Sequence, residues 1–450
     1  MESIFLLILV FLAILAAVDL FVGVSNDAVN FLNSAIGSKV APRRVILWIA
    51  AAGILIGTLT SSGMMEVARS GVFYPGQFSF SEIMMLFLGM MLGNVLLLDL
   101  YNTLGLPTST TVSMVFGLLG AAVATALFRI AADPSFSLHD LSQFINTGKA
   151  MVIIAAILVS VVFAFAAGTL FMYISRLIFS FRYHPAFRRW GAFWCGISLS
   201  GILYFALFKG LKSSGLIPSD ITQYVGEHVL LTLFAFWAAA SLILWILQRM
   251  RFNIMRITIL SGTFALALAF AGNDLVNFIG VPVAGFDAYS IAHRTGDASM
   301  LMGALNENVP ANFLVLLAAG GVMIATLWTS KKSMHVSATE LSLSTQSDEG
   351  SEQQYGSSFF SRTIVRAALN INAGVERVIP RRLRTAIAKR FEYEDIEHSG
   401  APYDMIRATV NLTTSALLIA LATSLKLPLS TTYVSFMVAM GSSLADRAWG

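Results

Sequence analysis

The feature that most constrains this chain is the recurrence of apolar runs about 20 residues long, the length at which an α-helix crosses the hydrocarbon core of a bilayer. Such runs lie near 3–24, 45–64, 82–103, 109–128, 150–175, 191–208, 228–248, 257–279, 310–329, 405–425 and 430–445. Only 12% of the 450 residues are charged, about half the share in soluble domains. Inside lipid every backbone polar group needs an internal partner, so runs of this length predict an all-α polytopic membrane protein with up to eleven crossings. The formal charge of +4 does not point to nucleic acid, because Lys and Arg sit in short loops between the runs and read as topology signals. The start, Met1-Glu2-Ser3, lacks the positive region of a secretory signal, so the first run is expected to stay as a helix. A single cysteine, Cys195, excludes an intramolecular disulfide.

Basic residues cluster at 176–189, at 249–256 and after Trp328. Placing these inside the cell puts the N-terminus outside and the segment 331–402 in the cytoplasm. The expected location is the cell membrane. The segment 337–361 is rich in Ser, Gln and Glu and reads as disordered. The stretch 358–391, with eight Lys or Arg against Glu376 alone, reads either as a basic amphipathic helix on the inner leaflet or as a linker.

Two words occur twice. Ser25-Asn26-Asp27-Ala28-Val29-Asn30-Phe31 returns as Gly272-Asn273-Asp274-Leu275-Val276-Asn277-Phe278, an offset of 247. Leu106-Pro107-Thr108-Ser109-Thr110-Thr111 returns as Leu427-Pro428-Leu429-Ser430-Thr431-Thr432, an offset of 321. The offsets differ by 74 (321 less 247), close to the length of the polar insert. Counting crossings, the first Asn-Asp word ends an inward helix and the second an outward one. The expected fold therefore has inverted repeats, with broken helices or hairpins at the midplane that mark a transport site. The segments are 1–128, the first repeat; 129–256, intervening helices; 257–330, the start of the second repeat; 331–402, the cytoplasmic loop; and 403–450, the rest of the second repeat, with a longer protein expected beyond Gly450.

An aspartate in an apolar run needs compensation, since a charge there costs ~2.5–3.5 kcal/mol on insertion scales. Asn26, Asp27, Asn273 and Asp274 supply hard oxygen ligands suited to a small cation, and Asn30 and Asn277 follow on adjacent helical turns. The Ser-Thr-Thr words begin helices, because Pro fits a helix start. Free N–H groups, the positive end of the helix dipole and the hydroxyls of Ser109, Thr110, Thr111, Ser430, Thr431 and Thr432 then suit a tetrahedral oxyanion, phosphate or sulfate. Asp99 and Glu66, near Arg69, occur once and read as structural pairs or interfacial residues.

Both word pairs resemble the signatures of the inorganic phosphate transporter (PiT) family, which includes sodium–phosphate symporters and some sulfate permeases. The family's Asn-Asp word is matched at Asn26, Asp27, Asn30, Asn273, Asp274 and Asn277, and its Ser-Thr-Thr word at 106–111 and 427–432. The chain departs from the usual pattern at Val24 and Ala271, Phe31 and Phe278, and Val112 and Tyr433. The resemblance implies that the Ser-Thr-Thr words sit at hairpin tips and hold phosphate, helped by Asn30 and Asn277, while the Asn-Asp words bind a coupling cation. The expected function is phosphate symport driven by Na+ or H+, with the bilayer, phosphate and that cation as partners and no other cofactor. A homo-oligomer is compatible with this plan. Sulfate transport, an anion channel and an intramembrane aspartyl enzyme using Asp27 and Asp274 are the alternatives.

Overall fold

The computed structural model describes residues 2–59, 61, 71–206, 219–306, 312–343, 362, 366, 381–391, 401–425, 427 and 429–446. Thirteen principal helices build it. They are α1 (Glu2–Asp27), α2 (Val29–Gly37), α3 (Arg43–Leu59), α4 (Phe80–Leu104), α5 (Thr110–Ala132), α6 (Thr147–Ile178), α7 (His184–Tyr204), α8 (Val229–Arg249), α9 (Ile254–Thr295), α10 (Phe313–Thr329), α11 (Lys332–Leu343), α12 (Met405–Ser424) and α13 (Thr431–Ala445). Each apolar run of the sequence lies on one of them. Among the described residues seven spans are long and apolar enough to cross a membrane, α1 and α2 counting together, or eight if α10 and α11, bent by 69°, form one broken span. The outer surface carries large apolar side chains such as Leu7, Leu96, Val162 and Leu230. Lipid solvates such a surface, whereas water would drive it to aggregate.

Two hairpins dominate the arrangement. In the first, Ser79 caps α4 through a reciprocal bond with Glu82, and Gly105 ends it at φ 68°, a left-handed turn that suits glycine. The chain then reverses through residues 105–109 into α5. The base of this hairpin lies beside the start of α1, where the rings of Phe5 and Phe80 are 4.7 Å apart. In the second hairpin, Asp404 caps α12, which ends at Ser424, and α13 returns from its cap Ser430. Its base lies beside the second half of α2, where the buried Tyr403 hydroxyl donates to the Asn33 carbonyl at 3.0 Å. Burial pushes the Tyr403 hydroxyl pKa up, so it stays a neutral donor. The tips of both hairpins meet at the end of α1 and the middle of α9.

Close helix contact fixes these positions. Gly168 on α6 and Gly441 on α13 face each other's helix so tightly that a Cβ on either would overlap the carbonyl of Val438 or Phe165. Small residues allow this approach between apolar helices that gain nothing from hiding surface from lipid.

Two expectations are corrected. The second Asn-Asp word does not interrupt its helix, for α9 runs unbroken from Ile254 to Thr295, whereas the first word sits at the one-residue step at Ala28 between α1 and α2. The polar groups of Asn273 and Asp274 find partners on the second hairpin, so no backbone break is needed there. The segment after Lys331 also begins as a docked helix, α11, with Val336 and Glu340 buried and Lys332 paired with Asp99 at 2.6 Å. Asp99 is thus a structural pair. A short helix, Arg381–Arg390, lies within the basic stretch, and Phe391 stacks on Tyr173 at 5.1 Å. Glu66, Arg69, Pro428, most of 344–400 and residues 447–450 lie outside the described residues.

Candidate binding site

The Ser-Thr-Thr words start helices as their sequence requires. Ser109 caps α5, its Oγ accepting from the Val112 N–H at 3.1 Å, and Ser430 caps α13, accepting from the Tyr433 N–H at 3.0 Å. The serine oxygens thereby satisfy orphan N–H groups of the first turn. The two threonines that follow each serine are left to point into the site.

There they meet the aspartates in a crossed pattern. Asp27 at the end of α1 accepts from Thr110 of the first hairpin at 2.8 Å and from Thr432 of the second, also at 2.8 Å. Asp274 in α9 accepts from Thr431 of the second hairpin and from Thr111 of the first at 2.9 Å. Each carboxylate therefore binds one threonine from each hairpin. The asparagines repeat the pattern: Asn30 donates to Thr432 at 3.0 Å, and Asn277 to Thr111 at 3.0 Å. All of these side chains are buried.

Asn26 and Asn273 brace the hairpin tips, and Asn273 also donates to Asp274 at 3.1 Å. Asn26 donates to the Leu106 carbonyl at 3.0 Å and accepts from the Thr108 N–H at 2.8 Å. Asn273 donates to the Leu429 carbonyl at 2.9 Å. Asp27, Asp274 and the four threonines form one interleaved cluster, and Asn26, Asn273, Ser109 and Ser430 bond to the hairpin tips around it.

Further polar residues, not singled out by the repeated words, support the cluster. Asn102 accepts from Asn26 at 2.8 Å and donates to the Val22 carbonyl at 2.7 Å. Its position in the second half, at the offset of 321, is Thr423, which donates to Asn273 at 3.4 Å. Asp19, on α1, is fully buried and bonded to Asn94. Arg176 holds Asp404 and Asp446 at the base of the second hairpin. The signal for Asp19 is plain in hindsight, as it is the charged residue within the first apolar run.

Electrostatics decide what this cluster needs. Two carboxylates face each other across neutral hydroxyls and amides, and among the described residues neither accepts a hydrogen bond from Lys, Arg or His. In a membrane interior such a pair calls for counter-charge. Carboxylates, hydroxyls and the Leu429 carbonyl are hard oxygen donors of the kind that holds small cations, and the hydroxyls can donate to an oxyanion once a cation has taken over the carboxylates.

Comparison with known proteins agrees with this chemistry. Residues 23–361 match the sequence profile described as "Phosphate transporter family". A candidate phosphate permease of Thermococcus kodakarensis is 26% identical over 317 residues, covering 67% of this chain and 69% of that protein. One of Pyrococcus abyssi is 28% identical over 318 residues with the same coverage. A solved structure, described as "The sodium-dependent phosphate transporter", superposes with a TM-score of 0.61 at 17% identity, over 97% of this chain and 90% of that one. That likeness shows a shared membrane-transporter fold.

Proposed function

The chain belongs to the phosphate transporter family, and from that membership we propose that it is a symporter carrying inorganic phosphate across the cell membrane together with Na+, with H+ as the alternative coupling ion. Membership places it among transporters, not enzymes, which sets aside the aspartyl enzyme. The sodium-dependent transporter that shares its fold supports the choice of Na+.

The observation that carries the reading is the crossed bonding of Asp27 and Asp274 to threonines of both hairpins. A cation bound by the aspartates releases the four hydroxyls, which then hydrogen-bond to phosphate from two sides. Cation and anion each neutralise what the other cannot tolerate alone in a low-dielectric site, so they are taken up together. In this scheme Thr110, Thr111, Thr431 and Thr432, with Asn30 and Asn277, hold phosphate. Asp27 and Asp274 hold the cation, and Asn26, Asn273, Ser109 and Ser430 set the tips.

The carboxylates also favour phosphate over sulfate. Near neutral pH phosphate retains a hydroxyl that can donate to a carboxylate oxygen the cation leaves open, while sulfate has only acceptors and would leave that oxygen without a donor. The exchange of partners between halves, together with hairpins whose bases lie at opposite ends of α1–α2, supports inverted repeats. The Lys and Arg distribution supports an outside N-terminus and a cytoplasmic 331–402 segment.

The test is uptake of labelled phosphate into proteoliposomes with Na+ and H+ gradients imposed separately and sulfate as competitor. An inward Na+ gradient should accelerate uptake, and excess sulfate should leave it unchanged. Flux indifferent to both gradients would mean a channel and contradict symport.

A further inference from the structure

We propose that Asp19 is a proton-binding site linked to the first hairpin through a rotatable amide, a site separate from the aspartate–threonine cluster. Asp19 lies on α1 eight residues before Asp27, about 12 Å along the helix at 1.5 Å per residue. It is fully buried. Its two oxygens accept from the Asn94 side-chain amide of α4 at 3.0 and 2.8 Å. The amide oxygen of Asn94 in turn accepts from Ser113 of α5. The chain Asp19–Asn94–Ser113 therefore ties α1 to both arms of the first hairpin. It ends three residues beyond Thr110, which donates to Asp27.

Among the described residues Asp19 has no positive partner. From α4 the group that faces it is the neutral Asn94, and α10 has no titratable side chain. Helix α9 brings Asp274 and the half-buried Asp287, and Lys332 of α11 is engaged by Asp99. On α1 the charge that acts on Asp27 from this direction is that of Asp19 itself. An ionised Asp19 would thus stand in an apolar core with a neutral amide as its partner, the environment in which a carboxyl takes up a proton.

A metal ion fits less well than a proton. Small cations need several converging oxygens, but here the carbonyl of Asn94 is turned away to Ser113, and the described residues hold no group of three acidic, His or Cys side chains. A proton needs one oxygen.

The amide makes both protonation states satisfiable. When Asp19 is ionised, Asn94 donates N–H to it and accepts from the Ser113 hydroxyl. When Asp19 takes up a proton, its new O–H donates to the Asn94 oxygen after the amide turns half a revolution. The amide N–H then donates to Ser113 Oγ, whose own hydrogen turns to a carbonyl of the preceding helical turn. No hydrogen bond is lost, and the change arrives on α5 next to the threonines of the site. The second half has no such device: the corresponding positions, at offsets of 247 and 321, are Leu266, Ser415 and Val434. One chain would carry one such proton.

The coupling role rests on the phosphate-transport reading, but the protonation does not. The test is infrared difference spectroscopy of the purified protein in H2O and D2O near neutral pH, with phosphate binding measured on the same samples. Wild type should show a protonated-carboxyl band that shifts in D2O, and Asp19→Asn should lose it. A wild type without the band, or an Asp19→Asn protein that keeps it at full amplitude, overturns the proposal. If Asp19→Asn does not fold, Asn94→Leu keeps the acid and removes its partner. The band should then move toward the frequency of a free carboxyl, and an unmoved band contradicts the amide link. A wild type that binds no phosphate would sink the transport reading and leave the proton on Asp19 standing.

Discussion

At the base of the second hairpin, buried Arg176 makes a two-pronged contact with Asp446, at 2.9 and 2.7 Å, and reaches Asp404 at 2.8 Å. One side chain of α6 thereby clasps the start of α12 to the end of α13. The base of the first hairpin is joined by Arg129 and Glu82 at 3.1 Å, about a quarter exposed at 28% and 26%. The tips differ less. Asn102 and Asn26 fix the first through bonds of 2.8 Å, and Asn273 holds the second through the Leu429 carbonyl at 2.9 Å, with Thr423 reaching Asn273 at 3.4 Å. One hairpin is pinned at its base by a buried clasp and the other by a partly exposed pair. Two copies of one word can thus present the same threonines while differing in how firmly their bases are held. Movement is expected first at the base of the first hairpin.

The largest effect that would break this comparison is at the aspartates, where the copies should behave alike. Asp27→Asn and Asp274→Asn each remove a formal charge that balances a bound cation, and each should abolish sodium-coupled phosphate uptake while the protein still inserts. Equal uptake with unchanged cation dependence in both variants would remove the aspartates from the mechanism.

Next in size comes the clasp. Arg176→Met leaves two buried carboxylates without their counter-charge, and breaking a buried pair costs about 3–5 kcal/mol. Arg129→Met at the first hairpin removes an exposed pair worth roughly 0–1 kcal/mol. Thermal unfolding of both variants in one detergent should rank them in that order. Similar losses would mean that the two bases are held alike and would void the comparison.

The sequence made the helices and the site legible for different reasons. Apolar length marks helices directly, and the duplicated words located Asp27, Asp274 and the threonines because chance does not repeat two polar words in one order. Helix starts at Thr110 and Thr431 followed from Pro and Ser chemistry. What stayed hidden was pairing across long separations. Arg176 looked like one more basic residue at a membrane edge, since nothing local reveals that Asp404 and Asp446 surround it. Asp19, Asn94 and Ser113 lack counterparts in the second half, so a search for repeats passes over them. The crossed bonds were equally invisible, because offsets give correspondence between halves and not contact between them. The unbroken course of α9 is a tertiary outcome too, set by a hairpin that meets the needs of Asn273 from outside the helix.

The central claim is that threonines of both hairpins hold one anion, and a double-mutant cycle on phosphate affinity tests it most directly. Thr110→Val and Thr431→Val remove a hydroxyl and keep the side-chain shape. A hydrogen bond to a charged acceptor is worth ~1.5–3 kcal/mol, so each single variant should bind phosphate roughly 10- to 100-fold more weakly. Because both hydroxyls serve one ligand, the double variant should depart from the sum of the singles. Direct binding to purified wild type, both singles and the double, gives all four corners. Non-additive losses from both hairpins are the predicted result. Affinity unchanged in either single variant, or strict additivity, would contradict a site shared between the two copies.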